Sequence, residues 1–463
     1  MSKLQVLSPY DDSVVGEVKL SSTEEVQQAI DNAYELYLDK DALLPKYKRV
    51  EVLEKVMEIM SSQVEELTKL CASEGGKPYI DSKVEVQRAI NGIKIAIEEI
   101  SSMGGKEIPM GHTLSSDGRM AYTLKEPIGV VAAISAFNHP FNLAVHQVIP
   151  AVAAGCPVII RPASGTPMSA VRLVEILEEA GLAKGWAQAV VCDRKGGELL
   201  VKSPKTAFLT FIGSGSVGWH LNSIASPGTR VALEHGGVAP VIVDKDADIE
   251  DLIPSIGKGG FYHAGQVCVS VQRVFVHKDI IEEVSQKLVE YANKQVIGNQ
   301  LDPKTEIGPL INNSEVDRVE EWVNDAKEEG GKILCGGNRI GKSCFEATVI
   351  LNPSDKALVS TKEVFGPVIC LYTFETFDEA IKRANQLDVS FQAAVFTKNI
   401  DQALRAVKRL NATAVMVNDH TAFRVDWMPF GGAKVSGLGM GGIGNSIEDM
   451  SVEKMFVIKS KEL

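Results

Sequence analysis

Apolar residues recur at three- and four-residue spacing between charged ones over 22–37, 48–73 and 79–103. That is the period of a helix with one buried stripe, so the first third is predicted to be helical, and the glycines at 104 and 105 end the run. Residues 120–124 read as a strand whose alternating neighbours suggest a hairpin arm. From residue 128 the rhythm changes to strand then helix: 129–135, 142–154, 157–161, 167–180, 207–212, 216–225 and 231–233. A second such series runs from 240 to 417 and includes 273–276, 280–295, 316–329, 368–374 and 377–384. Apolar strands alternating with helices predict parallel sheets covered on both faces, so the fold class is α/β with two doubly wound parallel-sheet domains. The segment 452–460 reads as a further strand, either pairing with the earlier arm in a sheet shared between subunits or forming an ordinary edge.

Composition agrees with this division, since 463 residues exceed what one core usually serves. A net charge of −12, with 23% charged residues and no basic stripe, argues against nucleic acid as a partner. No apolar run reaches the roughly 18 residues of a membrane helix, and 1–10 has no signal-peptide character, so a cytoplasmic location without membrane association is expected. The tail Ser460-Lys461-Glu462-Leu463 has no retention meaning without entry into the secretory route. Seven cysteines, scattered without CxxC or Cys/His spacing, predict neither disulfides nor a metal site.

Two glycine motifs differ in context. Gly336-Gly337-Asn338-Arg339-Ile340-Gly341-Lys342-Ser343 matches the P-loop letter for letter. The strand-like, proline-terminated stretch after it lacks the helix which that motif requires, so a surface turn is expected. Gly213-Ser214-Gly215-Ser216-Val217-Gly218 matches GxGxxG between an apolar strand and a helix; it reads either as a pyrophosphate-binding turn or as a plain strand-helix turn. Residues 431–444 are dense in glycine, as where backbone segments approach closely.

Several further motifs occur in order along the chain: Glu126-Pro127-Ile128-Gly129, Phe137-Asn138-His139-Pro140, Arg161-Pro162-Ala163-Ser164, Phe211-Ile212-Gly213-Ser214, Leu233-Glu234-His235-Gly236-Gly237, Gly265-Gln266-Val267-Cys268, Glu363-Val364-Phe365-Gly366-Pro367 and Pro429-Phe430-Gly431-Gly432. Their order and spacing resemble the aldehyde dehydrogenase superfamily across essentially the whole chain. The resemblance implies a Rossmann-like dinucleotide-binding domain (1–108 and 128–236), a catalytic domain (237–428) and a small β oligomerisation arm (109–127 and 445–463). It also implies a homodimer or homotetramer.

The chemistry that the resemblance implies needs these residue types together. A thiolate at Cys268 adds to the aldehyde carbon, because hydride leaves most easily from a tetrahedral adduct. Asn138, through its side-chain amide, and the Cys268 N–H receive the negative oxygen. Glu234 is the general base that activates water against the thioester. Ala136, Phe137, Arg161, Ser164, Gly213, Ser214, Gly218, Glu363 and Phe365 correspond to cofactor contacts, and the cofactor is NADP or NAD. Ser164 stands where NAD-preferring relatives have a glutamate, leaving room for a 2′-phosphate that Arg161 can pair, so NADP is at least accepted.

The segment 418–428 resembles members acting on small polar aldehydes such as lactaldehyde or phosphonoacetaldehyde. The expected substrate pocket holds Phe141, Val267, Val269, His420 and Arg424. Arg424 reads either as a cationic corner for an anionic or hydroxylated substrate or as the partner of Asp426 in a loop salt bridge. Gln147 and Gly441 depart from the pattern, standing where many relatives have a lysine and its glutamate partner for proton movement. Protons are then expected to leave Glu234 by another route, through His139, His235 or water, with deacylation slower or differently pH-dependent; the reading of His235 that histidine's versatility favours is a structural imidazole bonded to backbone. Two other functions fit the same fold: a CoA-acylating dehydrogenase, disfavoured by Glu234, and a non-catalytic binding protein, disfavoured by the joint presence of Cys268, Glu234 and Asn138.

Overall fold

The computed structural model describes residues 2–463. Two sheets organise it. The first is six-stranded, in the order Gly437–Leu438, Arg230–Glu234, Thr206–Ile212, Val130–Ile134, Val158–Arg161, Ala187–Ala189. All its neighbours are parallel except the outermost pair formed by Gly437–Leu438. The second is seven-stranded: Lys332–Cys335, Thr348–Leu351, Val368–Phe374, Arg273–His277, Pro240–Val243, Gln392–Phe396, Ala414–Val417. Only Lys332–Cys335 runs antiparallel there.

Strand alternation explains how the first sheet is covered. Val131 and Ala133 point into a core shared with the helices Lys46–Ser62, Tyr79–Ser102 and Pro140–Ala154. Val130, Ala132 and Ile134 point the other way, toward Thr23–Leu38 and Arg194–Lys202. With both faces buried, the strand carries no polar residue. A third sheet pairs Ser451–Lys459, Arg119–Pro127 and Glu107–Ile108 antiparallel. Met455, Phe456, Val457 and Ile458 on it stand exposed.

Three local readings are refined. The helix expected over 48–73 is two helices, Lys46–Ser62 and Val64–Gly75, broken at Gln63 (φ −113°, ψ 19°). The buried stripe Val56, Met60, Leu67, Cys71 continues in phase across the break, so periodicity cannot reveal it. The P-loop look-alike is a turn leading through Arg339–Ile340 into a hairpin with Cys344–Phe345, and no helix follows it. Among the described residues, no helix is long and apolar enough to cross a membrane.

Candidate active site

Four neighbouring strands of the first sheet end side by side at Glu234, Ile212, Ile134 and Arg161. In an open parallel sheet the crevice beyond these carboxyl ends is where ligands bind. A cavity of about 870 Å³ lies there and reaches Cys268. Its wall includes Ala136, Phe137, Asn138, Arg161, Ser164, Gly213, Ser214, Glu234, Val267, Cys268, Val269, Glu363, Phe365 and Arg424. Residues separated by more than 280 positions in sequence thus share one space.

Backbone strain positions the thiol. His263, Ala264 and Gly265 have φ of 49°, 53° and 69°, three successive left-handed residues just before Cys268. Each non-glycine residue there costs about 1–2 kcal/mol, which surrounding structure must offset. Gln266 does part of this: its Oε1 accepts from Ile311 N at 2.9 Å, and its Nε2 donates to Pro309 O at 3.3 Å. A Cβ on Gly265 would overlap Gly366 O, so glycine lets this loop seat against the loop carrying Glu363 and Phe365. Asn138 Nδ2 donates to Gln266 O at 2.9 Å, tying the amide to the thiol loop.

Burial raises the ionisable groups of the site. The Cys268 thiol is pushed up by desolvation and then by the Glu363 carboxylate, with Arg424 opposing. Glu234 is pushed up to about 7 by burial, against the Arg424 charge. Glu363 rises to about 8 by burial, with Arg318 opposing. The resting thiol is therefore protonated, and Arg424 is a cation that stabilises both the thiolate and the Glu234 carboxylate.

Arg424 is not paired with Asp426. The Asp426 carboxylate turns to Arg88, which donates from Nη2 at 2.7 Å and Nε at 3.3 Å, and to His146 Nε2 at 2.9 Å. These partners lie on the helices Tyr79–Ser102 and Pro140–Ala154, far away in sequence, which is why adjacency misleads. Burial, and next the Arg424 charge, lower His146 to about 4. It is thus neutral, and its partners assign the proton to Nε2, because Nδ1 faces the donor Arg424 Nη2 at 3.4 Å. The Arg424 guanidinium sits 3.6 Å from the Phe430 ring centroid, with Nε buried and unpartnered. Burial lowers Arg424 to about 10, so it remains charged.

The part of the cavity lined by Phe137, Phe365 and Arg161 carries open polar groups. Phe137 and Phe365 meet edge to face with centroids 5.8 Å apart. Beside them Glu363 Oε1 is buried without a partner, and a Cβ on Gly236 would overlap it. Arg161 Nε is likewise buried and unpartnered, while its Nη2 donates to Cys192 O at 3.3 Å. An acceptor and a donor left open in one crevice fit a ligand bearing both hydroxyls and phosphates.

Three expected residues lie elsewhere. Phe141 is fully buried in the helical core with Val145 and Val148, because the first turn of its helix directs it inward. His420 packs over Gly259 rather than into the cavity. Gly218 lies off the cavity wall; a Cβ there would overlap His235 Nε2, so its role is close approach of helix Gly215–Ile224 to its strand. His235 itself bonds Val435 O through Nδ1 at 3.1 Å, the structural alternative for this imidazole.

Sequence reading missed Arg88 and Tyr262, which also line the cavity, as does His139 bonded to the Tyr262 hydroxyl at 3.2 Å. Tyr262 stands close before Cys268 and its position was a usable signal. Arg88 looked like any surface charge on an amphipathic helix.

Residues 1–456 match the model of the aldehyde dehydrogenase family. The chain is 40% identical over 460 residues to a 3-sulfolactaldehyde dehydrogenase of Priestia aryabhattai, covering 98% of this chain and 95% of that one. It is 36% identical to a lactaldehyde dehydrogenase of Methanococcus vannielii, covering 98% and 97%. Its fold superposes on aldehyde dehydrogenase 21 of Physcomitrella patens, solved with the reaction product succinate, with a TM-score of 0.95, 35% identity and coverage of 99% and 95%. It also superposes on a glyceraldehyde-3-phosphate dehydrogenase of Methanocaldococcus jannaschii, solved with NADP, with a TM-score of 0.94, 34% identity and coverage of 99% of each chain. The chain belongs to the aldehyde dehydrogenase family and is an aldehyde-oxidising enzyme.

Proposed function

We propose that this enzyme oxidises a short anionic or hydroxylated aldehyde to its carboxylic acid through a covalent Cys268 intermediate, using NADP or NAD. The observation that carries the reading is the meeting of Cys268, Glu234 and an Arg424 with no carboxylate hydrogen-bonded to it in one cavity. A buried guanidinium without a bonded anion is costly, and a carboxylate, sulfonate or hydroxyl on the substrate offsets that cost. The named relatives act on substrates of this kind, as their names state.

Cys268 Sγ adds to the carbonyl carbon as Glu234 takes the thiol proton, and the oxygen becomes an alkoxide. Asn138 Nδ2 and the Cys268 N–H donate to that oxygen. A bound nicotinamide would supply the acceptor for the hydride of the adduct carbon. What remains on Cys268 is a thioester. Once Glu234 has released the thiol proton to solvent, it removes a proton from water as that water attacks the thioester carbon; the C–S bond breaks, the acid departs, and Glu234 returns a proton to the Cys268 thiolate.

Glu363 would hold the nicotinamide ribose, with Phe365 and Phe137 beside the ring; Gly213 and Ser214 would meet the phosphates, and Arg161 with Ser164 would take the adenosine ribose. Residues 1–108 and 128–236 form the cofactor domain and 237–428 the catalytic one. The exposed apolar strand Ser451–Lys459 supports assembly as a homodimer or homotetramer through the arm.

A panel of aldehydes matched in length but differing in charge, monitored by cofactor reduction with and without CoA, tests this. Anionic or hydroxylated members should be preferred, free acid should be the product, and Cys268→Ala should abolish reduction. Equal turnover of neutral alkyl aldehydes sinks the substrate assignment, and an acyl-CoA product sinks the hydrolytic one.

A further inference from the structure

Helix Pro140–Ala154 begins directly after the Asn138 loop, and its N-cap residue, His139, makes no capping bond. Pro140 has no N–H, so the first free donors of the helix belong to Phe141 and Asn142. Both donate to a single oxygen, Glu85 Oε1, at 2.9 and 3.0 Å. Glu85 comes from another helix, Tyr79–Ser102, and its second oxygen bonds Lys77 Nζ. Neither side chain has any solvent exposure. A serine or aspartate at the N-cap would normally supply these bonds. Here Asn138 and His139 both line the cavity, so the cap arrives from outside.

We propose that Glu85, held by Lys77, is a positioning residue for the oxyanion donor Asn138; the inference rests on the role assigned to Asn138 above. Two backbone N–H groups and an ammonium fix the Glu85 carboxylate in one place. It in turn fixes the start of the helix, and thereby the Asn138 amide, against Gln266 O. Glu74 does the equivalent for a second loop: it accepts from Met168 N at 2.7 Å and Ser169 N at 2.8 Å. Those donors open helix Met168–Glu179, which follows Arg161 and Ser164. One helical hairpin therefore caps, from a distance, the helices behind both ends of the cavity.

The first-turnover rate of cofactor reduction in Glu85→Ala, Asn138→Ala and the double variant tests the inference. Glu85→Ala should lower that rate about 10- to 100-fold, as sub-ångström misplacement of a catalytic donor does, while NADP affinity by fluorescence titration holds. In the Asn138→Ala background the same change should add less than about twofold, the mark of two residues acting as one unit. A wild-type rate in Asn138→Ala overturns the role of Asn138 itself. A loss in Asn138→Ala with none in Glu85→Ala, or a Glu85→Ala loss undiminished in the Asn138→Ala background, overturns the role of Glu85 alone. If Glu85→Ala does not fold, Glu85→Gln keeps an oxygen for the two N–H groups but not the charge. Its rate should fall about 3- to 10-fold, again only when Asn138 is present, because the charge-assisted bonds are about halved in strength; an unchanged rate overturns the proposal.

Discussion

Glu234 occupies the space that a side chain at residue 441 would need: a Cβ built on Gly441 overlaps Glu234 Oε1. Gly441 is fixed in turn by paired backbone bonds with Phe430, at 3.0 and 2.7 Å, so it cannot retreat. Glycine here is therefore the condition for the observed carboxylate position. Gly441→Ser should push the carboxylate off the water path while leaving Cys268 and Asn138 in place. Stopped-flow traces should then show a first-turnover burst that keeps its amplitude but rises more slowly, because Glu234 also takes the Cys268 proton, followed by a steady rate lowered about 10- to 100-fold, a typical loss for a displaced general base. A steady rate equal to wild type would mean that the carboxylate works from another position.

The pH dependence follows from the same carboxylate. Burial holds Glu234 at about 7, and Arg424 is the charge that opposes the rise. A general base acts when deprotonated, so where deacylation limits turnover, kcat should climb with pH through about 7 and level off above it. Arg424→Gln removes the opposing cation; the inflection should then move to higher pH, since the charged form of Glu234 loses its stabiliser. The same variant should slow iodoacetamide alkylation of Cys268, because Arg424 also favours the thiolate. An inflection that stays in place in the variant contradicts this coupling.

Cofactor choice should respond to residue 164. Ser164 is exposed on the cavity wall that it shares with Arg161, and a glutamate there would repel a 2′-phosphate and compete for the guanidinium. Ser164→Glu should lower kcat/KM for NADP relative to NAD by about 100-fold, equivalent to the few kcal/mol of a like-charge clash. An unchanged ratio would place the 2′-phosphate elsewhere in the crevice.

How legible each residue was depended on how locally its role was set. The α/β class follows from strands such as Val130–Ile134, whose two buried faces leave an unbroken apolar run. Cys268, Glu234 and Asn138 sit in short motifs whose backbone context is part of the signal, and the structure brings them to one cavity. Phe141 was misread because one residue decides whether a side chain faces the core or the cleft at the start of a helix. The Arg424 and Asp426 pairing failed for a different reason. Asp426 chose Arg88, 338 positions away, and no local pattern encodes a partner at that distance.

Gln147 is held by hydrogen bonds of its own. Its Nε2 donates to Ile134 O at 3.1 Å, Thr210 O at 3.1 Å and Thr210 Oγ1 at 3.2 Å. The side chain is 1% exposed, so these oxygens have no ready substitute from water. The amide thus ties together the two central strands of the six-stranded sheet, Val130–Ile134 and Thr206–Ile212, near their carboxyl ends, where a lysine would bring a buried charge. Gln147→Leu should strand those acceptors and cost about 1–3 kcal/mol. Urea unfolding of the apoenzyme should show the lowered midpoint, while the inflection of kcat near pH 7 stays where it is. A shifted inflection with unchanged stability would reverse the assignment and make Gln147 part of the proton path.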